Sequence, residues 1–201
     1  MTTGVFGGTF DPPHIGHLIL AEEALAQLGL GRVLWVLTPD PPHKQGRRIT
    51  PLADRYAMLL AAVADNPSFE VSRVDIDRPP PHYALDTVRL LAKEYPKDEI
   101  VYLMGSDSLR DLPTWYRPEN FVEACHAIGV MRRVDVRLDL DSLEQTIPGL
   151  KAKVRWIDVP LIEIASSSIR ERVTSGEPYR YYLPPAVFEY IRQHSLYQPV
   201  K

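Results

Sequence analysis

Two histidines three residues apart, His14 and His17, close the stretch GGTFDPPHIGH at residues 7–17. Gly7 and Gly8 carry no Cβ, so a phosphate can approach their backbone closely. A helix beginning near His14 would aim its first N–H groups and the positive end of its dipole at the same spot. At positions i and i+3 both imidazoles share one face of that first turn. Each can donate to a phosphate oxygen without stranding a permanent charge. Gly16 between them would let the helix lie close to a neighbour or a ligand. The combination predicts a site for an anionic group whose charge changes during reaction. A plain strand-to-helix turn would account for the glycines and prolines but requires neither histidine. As a metal site the pair is incomplete, because no carboxylate or cysteine set accompanies it, and no metal ligand is assigned.

Three further stretches carry usable chemistry. Ser166, Ser167 and Ser168 open a helix and are followed by Arg170. One serine would serve as a cap. Three hydroxyls, free N–H groups and a guanidinium fork make a phosphate cradle. Lys44 lies in a loop, residues 38–50, long enough to deliver a mobile point charge; beside Arg47 and Arg48 it also reads as an exposed lysine. Trp115 follows Pro113 in a loop and reads by itself as a lid over the core, while Asp107 reads as a cap of the next helix.

The elements that must hold these residues alternate. Thr3–Phe6, Arg32–Leu37, Phe69–Ile76, Glu99–Met104, Ala127–Met131 and Val154–Val159 read as strands. Residues 15–28, Pro51–Ala64, Tyr83–Lys93, Ser167–Thr174 and Pro185–His194 read as helices, the first with Leu18, Ala21, Leu25 and Leu28 on one face. This predicts an α/β fold: a doubly wound, mostly parallel sheet with helices on both faces. We expect one domain over residues 1–201, with 164–201 a C-terminal helical part. Ligands in such sheets bind beyond the carboxyl ends of the strands, where loops 7–14, 38–50, 105–116 and 160–168 should lie.

Composition narrows the function. Twenty-three basic and 26 acidic residues give a net charge of −3, which speaks against nucleic acid as a partner. No run approaches the roughly 18 apolar residues of a membrane span, and the apolar start is short and ends in glycine, unlike a signal peptide. The lone Cys125, placed in a structural helix, suits a reducing compartment. We expect a cytoplasmic protein, with homo-oligomerisation left open. No Ser-His-Asp-like nucleophile set is visible.

The opening stretch resembles the HxGH nucleotidyltransferase superfamily, in particular the bacterial nicotinate-mononucleotide adenylyltransferases. The resemblance continues through PDPPHK (39–44), HYALDTV (82–88, where the family has SYTxDTL), GSDSLRDLPTWY (105–116, matching GxDxxxxxxxWY) and IASSSIRERV (164–173, matching ISSTxIR). It implies a Rossmann-like nucleotidyltransferase fold and adenylyl transfer from ATP to nicotinate mononucleotide in NAD biosynthesis. The acceptor phosphate would attack the α-phosphorus in line, giving nicotinate adenine dinucleotide and pyrophosphate without a covalent intermediate. By resemblance, His14, His17, Lys44 and Arg170 are catalytic. Gly7, Gly8, Thr9, Phe10, Gly105, Ser166, Ser167 and Ser168 join His14, His17 and Arg170 in binding ATP. Asp107 would hold a ribose hydroxyl, Trp115 would stack on the pyridine, and the N–H groups of Ala84 and Tyr116 would hold the carboxylate. The partners implied are ATP and nicotinate mononucleotide. The implied cofactor is Mg2+, bound mainly through the ATP phosphates, since no carboxylate cluster offers it a cage.

One departure stands out. His82-Tyr83-Ala84 replaces SYT, which keeps the N–H at position 84 but loses two hydroxyls. His82 there would add a donor for a carboxylate or sit on the surface. Other readings are transfer to nicotinamide mononucleotide or another phosphorylated acceptor, a non-catalytic nucleotide-sensing module, and a fragment of a class I aminoacyl-tRNA synthetase. The last lacks a KMSKS-like stretch.

Overall fold

The computed structural model describes residues 1–40, 49–132, 138–160 and 163–198. Six strands form one sheet: β1 (Thr2–Gly8), β2 (Arg32–Leu37), β3 (Phe69–Ser72), β4 (Glu99–Gly105), β5 (Ala127–Met131) and β6 (Val154–Ile157). All neighbours are parallel and the order is β3-β2-β1-β4-β5-β6. The chain therefore winds one way from β1 and then the other, leaving a crevice beyond the carboxyl ends of β1 and β4. The doubly wound parallel sheet is the expected fold.

Strand alternation builds two cores. Phe6, Val33, Trp35, Leu37, Val101, Leu103 and Ile157 face one side; Val5, Leu34, Val36, Ile100, Tyr102, Met104 and Val130 face the other. On the first side lie α1 (Ile15–Leu28), α2 (Leu52–Val63), α8 (Ser166–Ser175) and α9 (Pro185–Gln193). On the second lie α3 (Ala84–Glu94), α4 (Ser106–Asp111), α5 (Pro118–Ala124), α6 (Leu140–Thr146) and α7 (Leu150–Lys153). In α1 the fully buried positions are Leu20, Ala21 and Ala24, with Leu18, Leu25 and Leu28 half-buried beside them. The two alanines let the helix lie flat on the sheet, so its apolar stripe is broader than the expected one.

Several boundaries differ from expectation, among them β1, which runs from Thr2 to Gly8 rather than from Thr3 to Phe6. β3 stops at Ser72 rather than Ile76, because a turn intervenes: Asp77 N–H donates to the Arg73 carbonyl and Val74 N–H to the Ser72 hydroxyl. β6 ends at Ile157 rather than Val159. Cys125 lies one residue past the end of α5, not within it, and is buried.

Candidate functional site

β1 runs into its loop through Gly7 and Gly8, and their missing side chains are needed by the protein itself. A Cβ on Gly7 would fall 2.7 Å from the Tyr102 hydroxyl, and one on Gly8 2.8 Å from the Phe10 ring. Phe10 takes a left-handed backbone, φ 44°, at a cost of about 1–2 kcal/mol for an L-residue. Its ring is 3% exposed and packs on Phe6, Trp35 and His17. Burial of that size is worth about 1.5–3 kcal/mol and offsets the strain. The turn sends the chain back over the end of β1 toward α1.

His14 is the N-cap of α1, and its ring stacks on that of His17 with centroids 3.6 Å apart. His14 N–H donates to His17 Nδ1 at 3.1 Å. That bond fixes the neutral tautomer of His17: Nδ1 accepts, so Nε2 carries the proton. A Cβ on Gly16 would lie 3.1 Å from the His14 ring and 3.8 Å from Ile164, so the glycine lets α1 start beside the segment that enters α8.

That segment brings the second group. Ala165, not a serine, is the N-cap of α8, and Ser166–Ser168 are its first three residues. Their N–H groups precede the first intrahelical bond, from Ile169 N–H to the Ala165 carbonyl. Ser166 Oγ donates to the Pro12 carbonyl at 2.8 Å and Arg170 to the Asp11 carbonyl at 2.6 Å. Ser167 and Ser168 are exposed. The serines and Arg170 are thus brought to the histidine loop. Lys44 lies outside the described residues.

Across the crevice, Gly105 ends β4 and is the N-cap of α4, with Asp107 in that helix's first turn. Trp115 is half-buried, in contact with Tyr102 and Phe121. Tyr116 stacks on Tyr83 with centroids 4.1 Å apart, which sets Ala84, at the start of α3, beside the Trp115–Tyr116 segment. Tyr102 links the halves, its hydroxyl filling the space at Gly7 and its ring meeting Trp115. Burial pushes its phenol well above the usual range, so it stays a neutral donor.

His82 is not a surface residue. It is 7% exposed, and Nε2 lies 3.3 Å from the Arg78 carbonyl. Donating there, a neutral His82 carries its proton on Nε2 and turns an acceptor, Nδ1, to its other side.

Several residues were not singled out from the sequence. Arg55, 2% exposed, donates to the carbonyls of Thr50, Thr9, Thr38 and Pro39 at 2.7–3.0 Å, tying the loops after β1 and β2 to the start of α2. Burial lowers its pKa, against the raising effect of Asp11. Its signal was its place with Met58, Leu59 and Ala62 on the buried stripe of α2. Arg78 pairs with buried Asp75 at 2.9 Å and donates to the carbonyls of Pro81 and Tyr83, shaping the loop before α3. Asp11 and Tyr197 also belong here.

The donors at this crevice are imidazole, hydroxyl, guanidinium and backbone N–H, all suited to anionic oxygen. Among the described residues no group of three or more His, Cys, Asp or Glu could hold a metal ion. Nor is any described helix long and apolar enough to cross a membrane.

A nucleotide-type Rossmann sheet with an imidazole pair at the end of its first strand defines a nucleotidyltransferase architecture. The chain belongs to the Cytidylyltransferase-like family, whose model matches residues 5–172. It is 48% identical over 198 residues to a Thermomicrobium roseum protein named "Probable nicotinate-nucleotide adenylyltransferase", covering 98% of this chain and 92% of that one. It is 43% identical over 196 residues to a Roseiflexus castenholzii protein of the same name, covering 98% of each. The fold matches that of Plasmodium falciparum nicotinic acid mononucleotide adenylyltransferase complexed with NaAD, at a TM-score of 0.81 and 18% identity, over 98% and 97% of the two chains.

Proposed function

We propose that this protein transfers the adenylyl group of ATP to nicotinate mononucleotide. A phosphate oxygen of the mononucleotide attacks the α-phosphorus in line, forming the new P–O–P bond. The bond to the β-phosphate breaks, pyrophosphate leaves with the electron pair, and nicotinate adenine dinucleotide results. The nucleophile is already ionised at neutral pH, so the protein need supply only positioning and charge stabilisation. The observation that carries the reading is the stacked His14–His17 pair set against the N-terminus of α8. His17, with its proton on Nε2, donates to an α-phosphate oxygen. The N–H groups and hydroxyls of Ser166–Ser168 and the Arg170 guanidinium receive the β- and γ-phosphates, joined by Lys44. Gly7, Gly8, Thr9, Phe10 and Gly105 shape the nucleotide crevice, and Asp107 receives a ribose hydroxyl. Ala84, Trp115 and Tyr116 receive the pyridine end. Mg2+ held mainly by the triphosphate oxygens would screen their charge while the protein's donors orient them. The names of the relatives support the acceptor, and cytoplasmic work belongs to the same reading.

Pyrophosphate release from Mg-ATP, measured side by side with nicotinate and nicotinamide mononucleotides, tests it. Turnover with the acid is expected. Equal turnover with the amide would show that His82-Tyr83-Ala84 has relaxed the pocket, and no turnover with either would refute the assignment.

A further inference from the structure

Asp11 is 5% exposed and sits inside the phosphate-facing loop. A buried carboxylate is the wrong sign beside a triphosphate. Its charge is answered from a distant part of the chain: Oδ1 accepts from the Tyr197 hydroxyl at 2.7 Å, and Oδ2 from Thr50 N–H at 3.2 Å. Tyr197 lies beyond α9 with φ 61°. Its carbonyl accepts from Thr174 Oγ1 at 2.9 Å, and the same hydroxyl is 2.9 Å from the Arg170 carbonyl. Arg170 in turn donates to the Asp11 carbonyl. With the single Thr174 hydroxyl proton shared between the two carbonyls, these contacts close a circuit through Asp11, Tyr197, Thr174 and Arg170. Burial and the neighbouring carboxylate hold the Tyr197 phenol well above the usual range, so it remains a donor.

We propose that Tyr197 is a positioning residue for adenylyl transfer. Its hydroxyl stabilises and orients the Asp11 side chain, and through the Asp11 backbone it sets Arg170 and the His14 N-cap where the triphosphate needs them. The proposal rests on the phosphate role given to that loop. A hydrogen bond between a hydroxyl and a buried carboxylate is charge-assisted, and a phenyl ring of the same shape cannot supply it.

The test is Tyr197→Phe, with Thr174→Val as a milder second variant and Tyr181→Phe, on a residue 85% exposed, as control. For Tyr197→Phe we expect kcat/KM for ATP to fall about tenfold or more, while KM for nicotinate mononucleotide stays within about twofold. Thr174→Val should move the same parameter by about threefold, and its effect should not add to that of Tyr197→Phe. Tyr181→Phe should match the unaltered protein. Binding of a non-hydrolysable ATP analogue by calorimetry should weaken in the same order, and this readout needs no turnover. Absence of turnover in the unaltered protein would therefore refute the proposed acceptor and leave the Tyr197 test standing. Unchanged ATP parameters in folded Tyr197→Phe would overturn the proposal. So would equal losses for ATP and acceptor, which mark a merely structural residue.

Discussion

Replacing Arg55 with methionine should be the most damaging single change away from the reacting groups. The guanidinium bridges three stretches of chain through the carbonyls of Thr9, Thr38, Pro39 and Thr50. Methionine fills much of its volume but donates nothing. Each acceptor stranded from water costs about 1–3 kcal/mol. The loops are half-buried, so water recovers part of this, and a net loss of about 3–5 kcal/mol is expected. For a chain of this size that corresponds to a fall in Tm of about 6–20 °C. Arg55→Lys keeps the charge but not the planar fork and should lose about half as much. Among molecules still folded, slack at Thr9 displaces the histidine loop, and misplacement by about 1 Å can cost a hundredfold in kcat/KM. Scanning calorimetry through the melting transition measures the first effect, and pyrophosphate release well below the variant's Tm the second. An Arg55→Met protein melting within about 2 °C of the unaltered one would refute the clamp.

Three other outcomes follow from the geometry. His17→Ala should lower kcat by about 10²–10³, as expected for loss of one donor to developing charge, and lower Tm by about 2–8 °C for the lost His14 N–H bond and ring contacts; an unaltered rate would sink the assignment of that residue. Arg78→Met frees the loop before α3 and should raise KM for the mononucleotide about tenfold while that for ATP holds, because its bonds reach only the acceptor side. Cys125 has its thiol pushed up from 9.0 to about 12 by burial. Between these values the unfolded chain has lost a proton that the folded chain keeps, so stability falls with rising pH above about 9, by about 1.4 kcal/mol per unit from this group. Urea titrations between about pH 9 and 10, before the buried Tyr102 and Tyr197 phenols add their own like-signed slope in both proteins, should show the unaltered protein losing stability more steeply than Cys125→Ala, and thiol reagents should leave the native protein unmodified at about pH 8.

The sequence foretold the sheet well because parallel strands buried on both faces leave continuous apolar runs; RVLWVL became β2 without adjustment. It also marked the residues gathered at the crevice, since glycine, histidine and serine clusters serve local needs that spacing records. It did not foretell the supports. The bonds of Asp11 and Tyr197 span 186 residues, and no local pattern records such a pairing. His82 read as either a donor for a carboxylate or a surface residue, because nothing in HYALDTV announces that the Arg78 carbonyl lies within reach. The short helices α6 and α7 were not foreseen, and α4 and α5 only as helices without bounds near Asp107 and Cys125, because pieces of four to seven residues carry too few turns to show a period.

The long reach of these supports bears on how the protein is made. Ser166, Arg170 and Tyr197 meet Pro12 and Asp11 across 154, 159 and 186 residues. At about 5–20 residues per second, a ribosome that has finished the histidine loop needs roughly 10–40 s more to deliver Tyr197. Until then the loop lacks the last of its three far anchors, and for most of that time all three, and closing so long a loop must wait for the sheet to bring the pieces together. A half-made chain therefore carries the histidines without the grip on triphosphate that the finished one has. The full set of loop anchors is therefore in place only once the segment beyond α9 has docked.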